Sequence, residues 1–212
     1  MRITVFGAAG VVGSRVVTEA LSRGHQLIAV GRNPARLAGL PAEITVRQGD
    51  AANVEDVAAL SAGQDLVISA TRPVPGSEHE LVIAAKALLA GVASTGVRLI
   101  AVGGASSLVI PNSAGTTVAD APGFPADLLP IATACTEQLE VFRADTTASW
   151  TYLSPPALLE PGERTGSFRL GLDDLIVDAH GNSSISTEDF AIALLDEAER
   201  PRHPRKRFTV GY

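Results

Sequence analysis

A single cysteine, Cys135, stands in the whole chain, so no intrachain disulfide can form and nothing points to an oxidising compartment. Its thiol is expected to serve as buried packing. Aromatic residues make up only 4% of the sequence, while alanine, valine, leucine and glycine abound. That composition argues against all-β and disordered architectures and suits β-branched parallel strands packed on small-residue helices. No apolar run reaches the ~20 residues needed to cross a bilayer. Residues 3–12 are apolar, but one arginine precedes them and Gly7 and Gly10 break them, which fits a buried strand and turn better than a secretion signal. A soluble, cytoplasmic protein is expected, with no membrane partner.

Positive charge is also scarce. The formal net charge of -6 argues against a nucleic-acid partner, because a phosphate-binding surface needs clustered cations. The one basic cluster (Arg200, Arg202, His203, Arg205, Lys206 and Arg207) lies between a helical and a strand-like segment and reads as a solvated connection. His25, His79, His180 and His203 are scattered without acidic or cysteine partners at ligand spacing, so no metal site is expected.

With 212 residues and 46% hydrophobic content, the chain can bury a large core as one domain, residues 1–212. Short β-rich runs alternate with helical patterns, the signature of βαβ units and a parallel sheet. Strands are predicted at Ile3 to Phe6, Leu27 to Val30, Ile44 to Gln48, Leu66 to Ser69 and Arg98 to Val102, and helices at Val11 to Ser22, Val54 to Leu60 and Glu78 to Ala90. Between Ser106 and Pro125 both periods vanish, and prolines and glycines mark a long loop, expected to be a mobile lid. A helix from about Ala126 to Arg143, kinked near Pro130, leads to a sixth strand at Trp150 to Leu153. The remainder reads as a small C-terminal cap: a turn-rich stretch, a helix opened by Ser186-Thr187-Glu188-Asp189, and a strand at Arg207 to Val210. Substrate and cap elements are expected at about 106–125 and 157–186. The predicted architecture is thus α/β, a Rossmann-type, doubly wound, mostly parallel sheet with helices on both faces.

The first strand runs into Gly7-Ala8-Ala9-Gly10-Val11-Val12-Gly13, in which glycine recurs every third position as a helix opens. Glycine there permits the tight turn, lets the backbone approach a pyrophosphate and allows close helix–sheet packing, with the helix N-terminus facing the anion. A nicotinamide dinucleotide site at Gly7, Ala9, Gly10, Val11, Val12 and Gly13 follows. Sites for the unphosphorylated cofactor usually carry Asp or Glu at the end of the second strand; here Gly31-Arg32-Asn33 stands instead, with Arg36 one turn on. Guanidinium groups at Arg32 and Arg36, with Asn33 beside them, suit a 2′-phosphate, so NADP(H) is expected over NAD(H). Further cofactor contacts are expected where the other parallel strands end: Asp50 and Ala51 near the adenine, Ala70, Thr71 and Arg72 under the cofactor, Gly103 and Gly104 near the nicotinamide, and Pro155 after the sixth strand. Ser106 and Ser107 are the candidate catalytic residues, as hydrogen-bond donors to the acceptor or carboxamide.

Taken together, these residues resemble the atypical short-chain dehydrogenase/reductases with NmrA-like folds, and among them the bacterial proteins described as NADH-flavin reductases, relatives of biliverdin reductase B. The resemblance spans the chain. It rests on Ile3-Thr4-Val5-Phe6-Gly7-Ala8-Ala9-Gly10, Arg32-Asn33-Pro34, Gly49-Asp50, Val102 to Leu108, Trp150 to Pro156, Glu160 to Thr165, and Asp189-Phe190-Ala191 through Arg207 to Gly211. It implies a Rossmann fold, a bound nicotinamide cofactor and, in some members, hydride transfer to flavins or quinones; other members only sense the cofactor. One departure matters. The superfamily's Tyr-x-x-x-Lys pair, in which tyrosine protonates a carbonyl oxygen, is missing from the helix before the sixth strand. The leading expectation is therefore an NADPH-dependent reductase of a flavin, a quinone or another small acceptor such as an aromatic ketone. A non-catalytic NADP(H) sensor and a tailoring ketoreductase or epimerase are the alternatives.

Overall fold

The computed structural model describes residues 1–212. Its first half follows the predicted alternation: β1 (Arg2–Phe6), α1 (Val11–Ser22), β2 (Gln26–Gly31), β3 (Thr45–Gln48), α2 (Val54–Ser61), β4 (Leu66–Ser69), α3 (Glu80–Thr95) and β5 (Arg98–Val102). After a long connection come α4 (Leu129–Ala144), β6 (Trp150–Ser154), β7 (Leu158–Glu160), β8 (Arg169–Gly171), β9 (Ser184–Ser186), α5 (Thr187–Glu199) and β10 (Arg207–Gly211). Eight strands form one sheet in the order β3-β2-β1-β4-β5-β6-β10-β8, and β7 and β9 pair separately. All neighbours in the main sheet are parallel except β8, which runs antiparallel along β10. The direction in which successive strands are added reverses between β1 and β4, since β1 pairs with β2 on one side and β4 on the other. Loops at the carboxyl ends of these two strands must diverge, and the crevice between them is where such sheets hold ligands.

Burial explains why the runs became strands. All four residues of β4 are buried, as are all five of β6, because helices cover both faces. Under α1 and α5 lies a core of Ile3, Val5, Val16, Val17, Phe190, Leu194, Phe208 and their neighbours. Under α2, α3 and α4 lies a second core, in which Phe142 meets the edges of Trp150 and Tyr152 at ring-centroid distances of 5.5 and 5.4 Å. Such edge contacts contribute about 0.5–1.5 kcal/mol each beyond area burial.

Three features depart from the expectations above. Strands β7, β8 and β9 went unread within the turn-rich cap because each has only three residues, too few to show a period. The 106–125 segment is a loop without helix or strand, as expected, but it is tied down by backbone bonds and an isolated antiparallel bridge between Val109 and Thr117 that make a hairpin-like turn. Val118 donates to the Leu108 carbonyl (2.9 Å), Ala119 to Ser106 (3.0 Å) and Ile110 to Thr116 (2.9 Å), while Val109 and Leu175 tie the hairpin to the strap at residues 173–175. The basic cluster is only partly solvated: Arg207 is buried and ion-paired with Asp173, and His203 stacks on Phe208 at 4.4 Å while its Nδ1 meets Glu197 at 2.8 Å. A strand start and a helix end converge there, which burial favours and local composition conceals.

Candidate functional site

Gly7 adopts φ +82°, and its carbonyl accepts from Gly10 N at 3.0 Å, closing the turn between β1 and α1. A Cβ on Gly13 would lie 2.1 Å from that carbonyl oxygen, and one on Gly7 would lie 2.5 Å from the Ala70 oxygen. These glycines therefore let α1 and the chain after β4 close on the turn. Gly10 is the N-cap of α1, with no side chain capping the first turn and no acidic residue within it. Unpaired N–H groups emerge there with the positive end of the helix dipole, beside Val11, which is 55% exposed. This is a receptive site for an anion, and it fits a diphosphate.

The other predicted residues gather around the same edge. Arg32 follows β2 and is exposed, Asn33 Oδ1 accepts from Ala35 N at 3.0 Å, and Arg36 stands on the short 3-10 turn that this bond initiates. Asn33 thus shapes the arginine-bearing turn. Asp50 follows β3, and its Oδ1 accepts from Ala52 N at 2.9 Å, while Asp56 Oδ2 accepts from Asp50 N. Ala51 is buried in the core that includes Val57 and offers a ligand little surface. Ala70, Thr71 and Arg72 follow β4, with Thr71 Oγ1 3.2 Å from Ser69 Oγ. Gly103 and Gly104 follow β5, and Pro155 follows β6.

Both candidate catalytic hydroxyls make hydrogen bonds within the protein, Ser106 as a donor and Ser107 as an acceptor. Ser106 is buried; its Oγ donates to the Ala132 carbonyl at 2.9 Å and lies 3.1 Å from Thr136 Oγ1. Ser107 Oγ accepts from Arg207 Nη1 at 2.8 Å. These bonds pin the start of the hairpin to α4 and β10.

Tyr152 is buried on β6, its ring packed against Gly103. A Cβ on Gly103 would fall 2.0 Å from its ring, and its hydroxyl donates to Gln138 Oε1 at 2.9 Å. Burial pushes its pKa well above the ordinary phenol value. Beside it, burial raises the Cys135 thiol to about 11, against a smaller opposing pull from Arg72. Two polar groups escaped the sequence reading. Ser154 Oγ at the end of β6 is buried without a hydrogen-bond partner, and Glu80 Oε2 stands 3.4 Å from Arg32 Nη1. No local signal marks either one; Glu80 is 48 residues from its partner.

The NAD(P)H-binding family model matches residues 7–201, from the turn glycine to just past the end of α5. The chain belongs to that NAD(P)H-binding family. It is similar across its full length to a solved structure from Burkholderia pseudomallei described as a candidate exported protein, at 40% identity, TM-score 0.90 and complete coverage of both chains. A candidate epimerase from Bacteroides thetaiotaomicron shares 39% identity at TM-score 0.91, covering 100% of this chain and 96% of that one. A candidate NADH-flavin reductase from Streptococcus pneumoniae shares 31% at TM-score 0.89, covering 100% and 99%. The mostly parallel sheet and the glycine turn are thus those of an NAD(P)H-binding, oxidoreductase-like Rossmann fold. No helix is long and apolar enough to cross a membrane.

Proposed function

We infer that the protein is an NADPH-dependent reductase delivering hydride to a flavin, a quinone or a comparable aromatic acceptor in the cytoplasm. One observation carries this reading: α4 bears neither tyrosine nor lysine, and the phenol of Tyr152 is hydrogen-bonded within the core. A simple ketone needs a proton at its oxygen as hydride arrives, and neither α4 nor the buried phenol of Tyr152 can give it. Flavins and quinones accept hydride into a conjugated system and take their proton from water.

Reduced nicotinamide supplies the hydride, and the chain's residues supply position and environment. The first turn of α1 would hold the diphosphate, Arg32 and Arg36 the 2′-phosphate, and the backbone at Ala70, Thr71 and Gly103 the floor of the site. Asn33 and Asp50 hold the surrounding turns in shape. Ser106 and Ser107 act through the hairpin they anchor, keeping its wall against α4 so that water is excluded. The likeness to the Streptococcus pneumoniae protein supports a flavin acceptor.

A second reading, a protein that binds NADP(H) and reports its redox state, is favoured by the burial of Ser106, whose hydroxyl donates to the Ala132 carbonyl. An epimerase or ketoreductase reading, to which the Bacteroides relative lends its name, is disfavoured by the missing tyrosine. A screen of NADPH oxidation against flavins, quinones and aromatic ketones separates the three. Sustained turnover with a flavin or quinone is the expected result. Cofactor binding without turnover by any acceptor would overturn the reductase and favour the sensor.

A further inference from the structure

The end of β2 carries no carboxylate in the sequence, yet the fold brings one there from α3. Glu80 Oε2 lies 3.4 Å from Arg32 Nη1, and the two side chains are 38% and 61% exposed, so the pair faces solvent. The Arg32 backbone is anchored from β3, where Gln48 Nε2 donates to its carbonyl at 3.3 Å, and Glu80 is the first residue of α3. Arg32 follows β2 and Glu80 opens α3, so the pair joins the segments that leave β2 and β4, the two strands on either side of β1.

We propose that Glu80 is the specificity-determining partner of Arg32, and that the pair sets the ratio of NADPH to NADH affinity. The inference rests on the dinucleotide and arginine readings above. A guanidinium attracts a 2′-phosphate, whereas a carboxylate repels it and accepts from a ribose hydroxyl. With both at one place, the preference that Arg32 alone would impose is tempered: part of its charge is already answered by Glu80, and an incoming phosphate meets a like charge. A 2′-hydroxyl suffers neither effect. Glu80 therefore takes over, from another element, the part played by the carboxylate that NAD sites carry at the end of the second strand.

The test is a fluorescence titration of NADPH and NADH on the wild type, Glu80→Gln, Arg32→Ala and the double variant, at low and at high salt. Glu80→Gln is expected to raise the NADPH-to-NADH affinity ratio by about 3- to 10-fold, the size of a partly screened charge interaction at a solvent-facing site. That gain should shrink at about 1 M salt, where the Debye length falls to roughly 3 Å. Arg32→Ala should lower the ratio, and adding Glu80→Gln to it should recover part of the loss. If Arg32→Ala lowers the ratio while Glu80→Gln leaves it unchanged, the Glu80 inference fails and the arginine reading stands. If neither variant moves the ratio, both fail; if the wild type binds neither cofactor, the dinucleotide reading fails with them.

Discussion

Gly13 and Gly10 lie three residues apart, yet a methyl group added to each meets a different environment. At Gly13 it would sit 2.1 Å from the Gly7 carbonyl oxygen; at Gly10 the same oxygen is 3.3 Å away, and the backbone φ of -75° is open to any residue. Gly13→Ala should therefore act on the fold, destabilising it by about 1–3 kcal/mol as an overpacked contact does. Gly10→Val should leave most of the stability in place and abolish dinucleotide binding, because its side chain projects where a diphosphate would approach. Melting curves and cofactor titration on the two variants check this, and undiminished affinity in Gly10→Val would remove the turn from the site. The glycine spacing and the access role of Gly10 were legible in the sequence; how tightly Gly13 is packed was not, because that depends on how closely α1 folds back on the Gly7 carbonyl.

At the scale of elements, the hairpin-like turn over residues 106–125 has a clamped base, while at its tip the amides of Asn112, Ala114 and Gly115 have no hydrogen-bond partner. Three backbone bonds hold the base: the Val118 amide donates to the Leu108 carbonyl, the Ala119 amide to the Ser106 carbonyl and the Leu175 amide to the Val109 carbonyl. The tip contains Asn112 and Ala114 in left-handed conformation, at φ 61° and 55°. Amide exchange should accordingly find Val118 and Leu175 protected, and the tip exchanging early. Deleting residues 112–115 and closing the gap should change acceptor turnover while leaving NADPH affinity intact, since the contacts proposed for the phosphates follow β1 and β2. Equal losses in both would show that the hairpin supports the whole site. Prolines and glycines made this segment look irregular in the sequence, because the bonds that order it join residues whose pairing follows no hydrophobic period.

Across the whole molecule, the C-terminal cap is stapled to α1 by ion pairs between distant segments. Buried Glu19 meets Arg164 at 2.9 Å and Arg23 at 2.9 Å, and Arg15 meets Glu188 at 3.1 Å. The Arg164 hydrogen bond is the largest influence on Glu19 and, with Arg23, holds its carboxyl below the usual range against the opposing effect of burial. A depressed folded-state pKa gives stability that is present above the unfolded value, near 4.5, and is lost as pH falls through the folded one. Arg164→Ala should cost about 1 kcal/mol at neutral pH, discounted for solvent exposure, and should flatten the acid side of the stability profile. Urea melts from pH 7 to pH 3 measure both; an unchanged acid slope would mean that Glu19 does not staple the cap. The amino-acid order by itself determined the alternating elements, the parallel sheet and the glycine turn, because hydrophobic period and glycine spacing are local properties. Only the tertiary structure decided that Tyr152 is core, that Ser106 and Ser107 are tied to α4 and β10, and that Glu80 faces Arg32, because each of these depends on contacts between segments far apart in the chain.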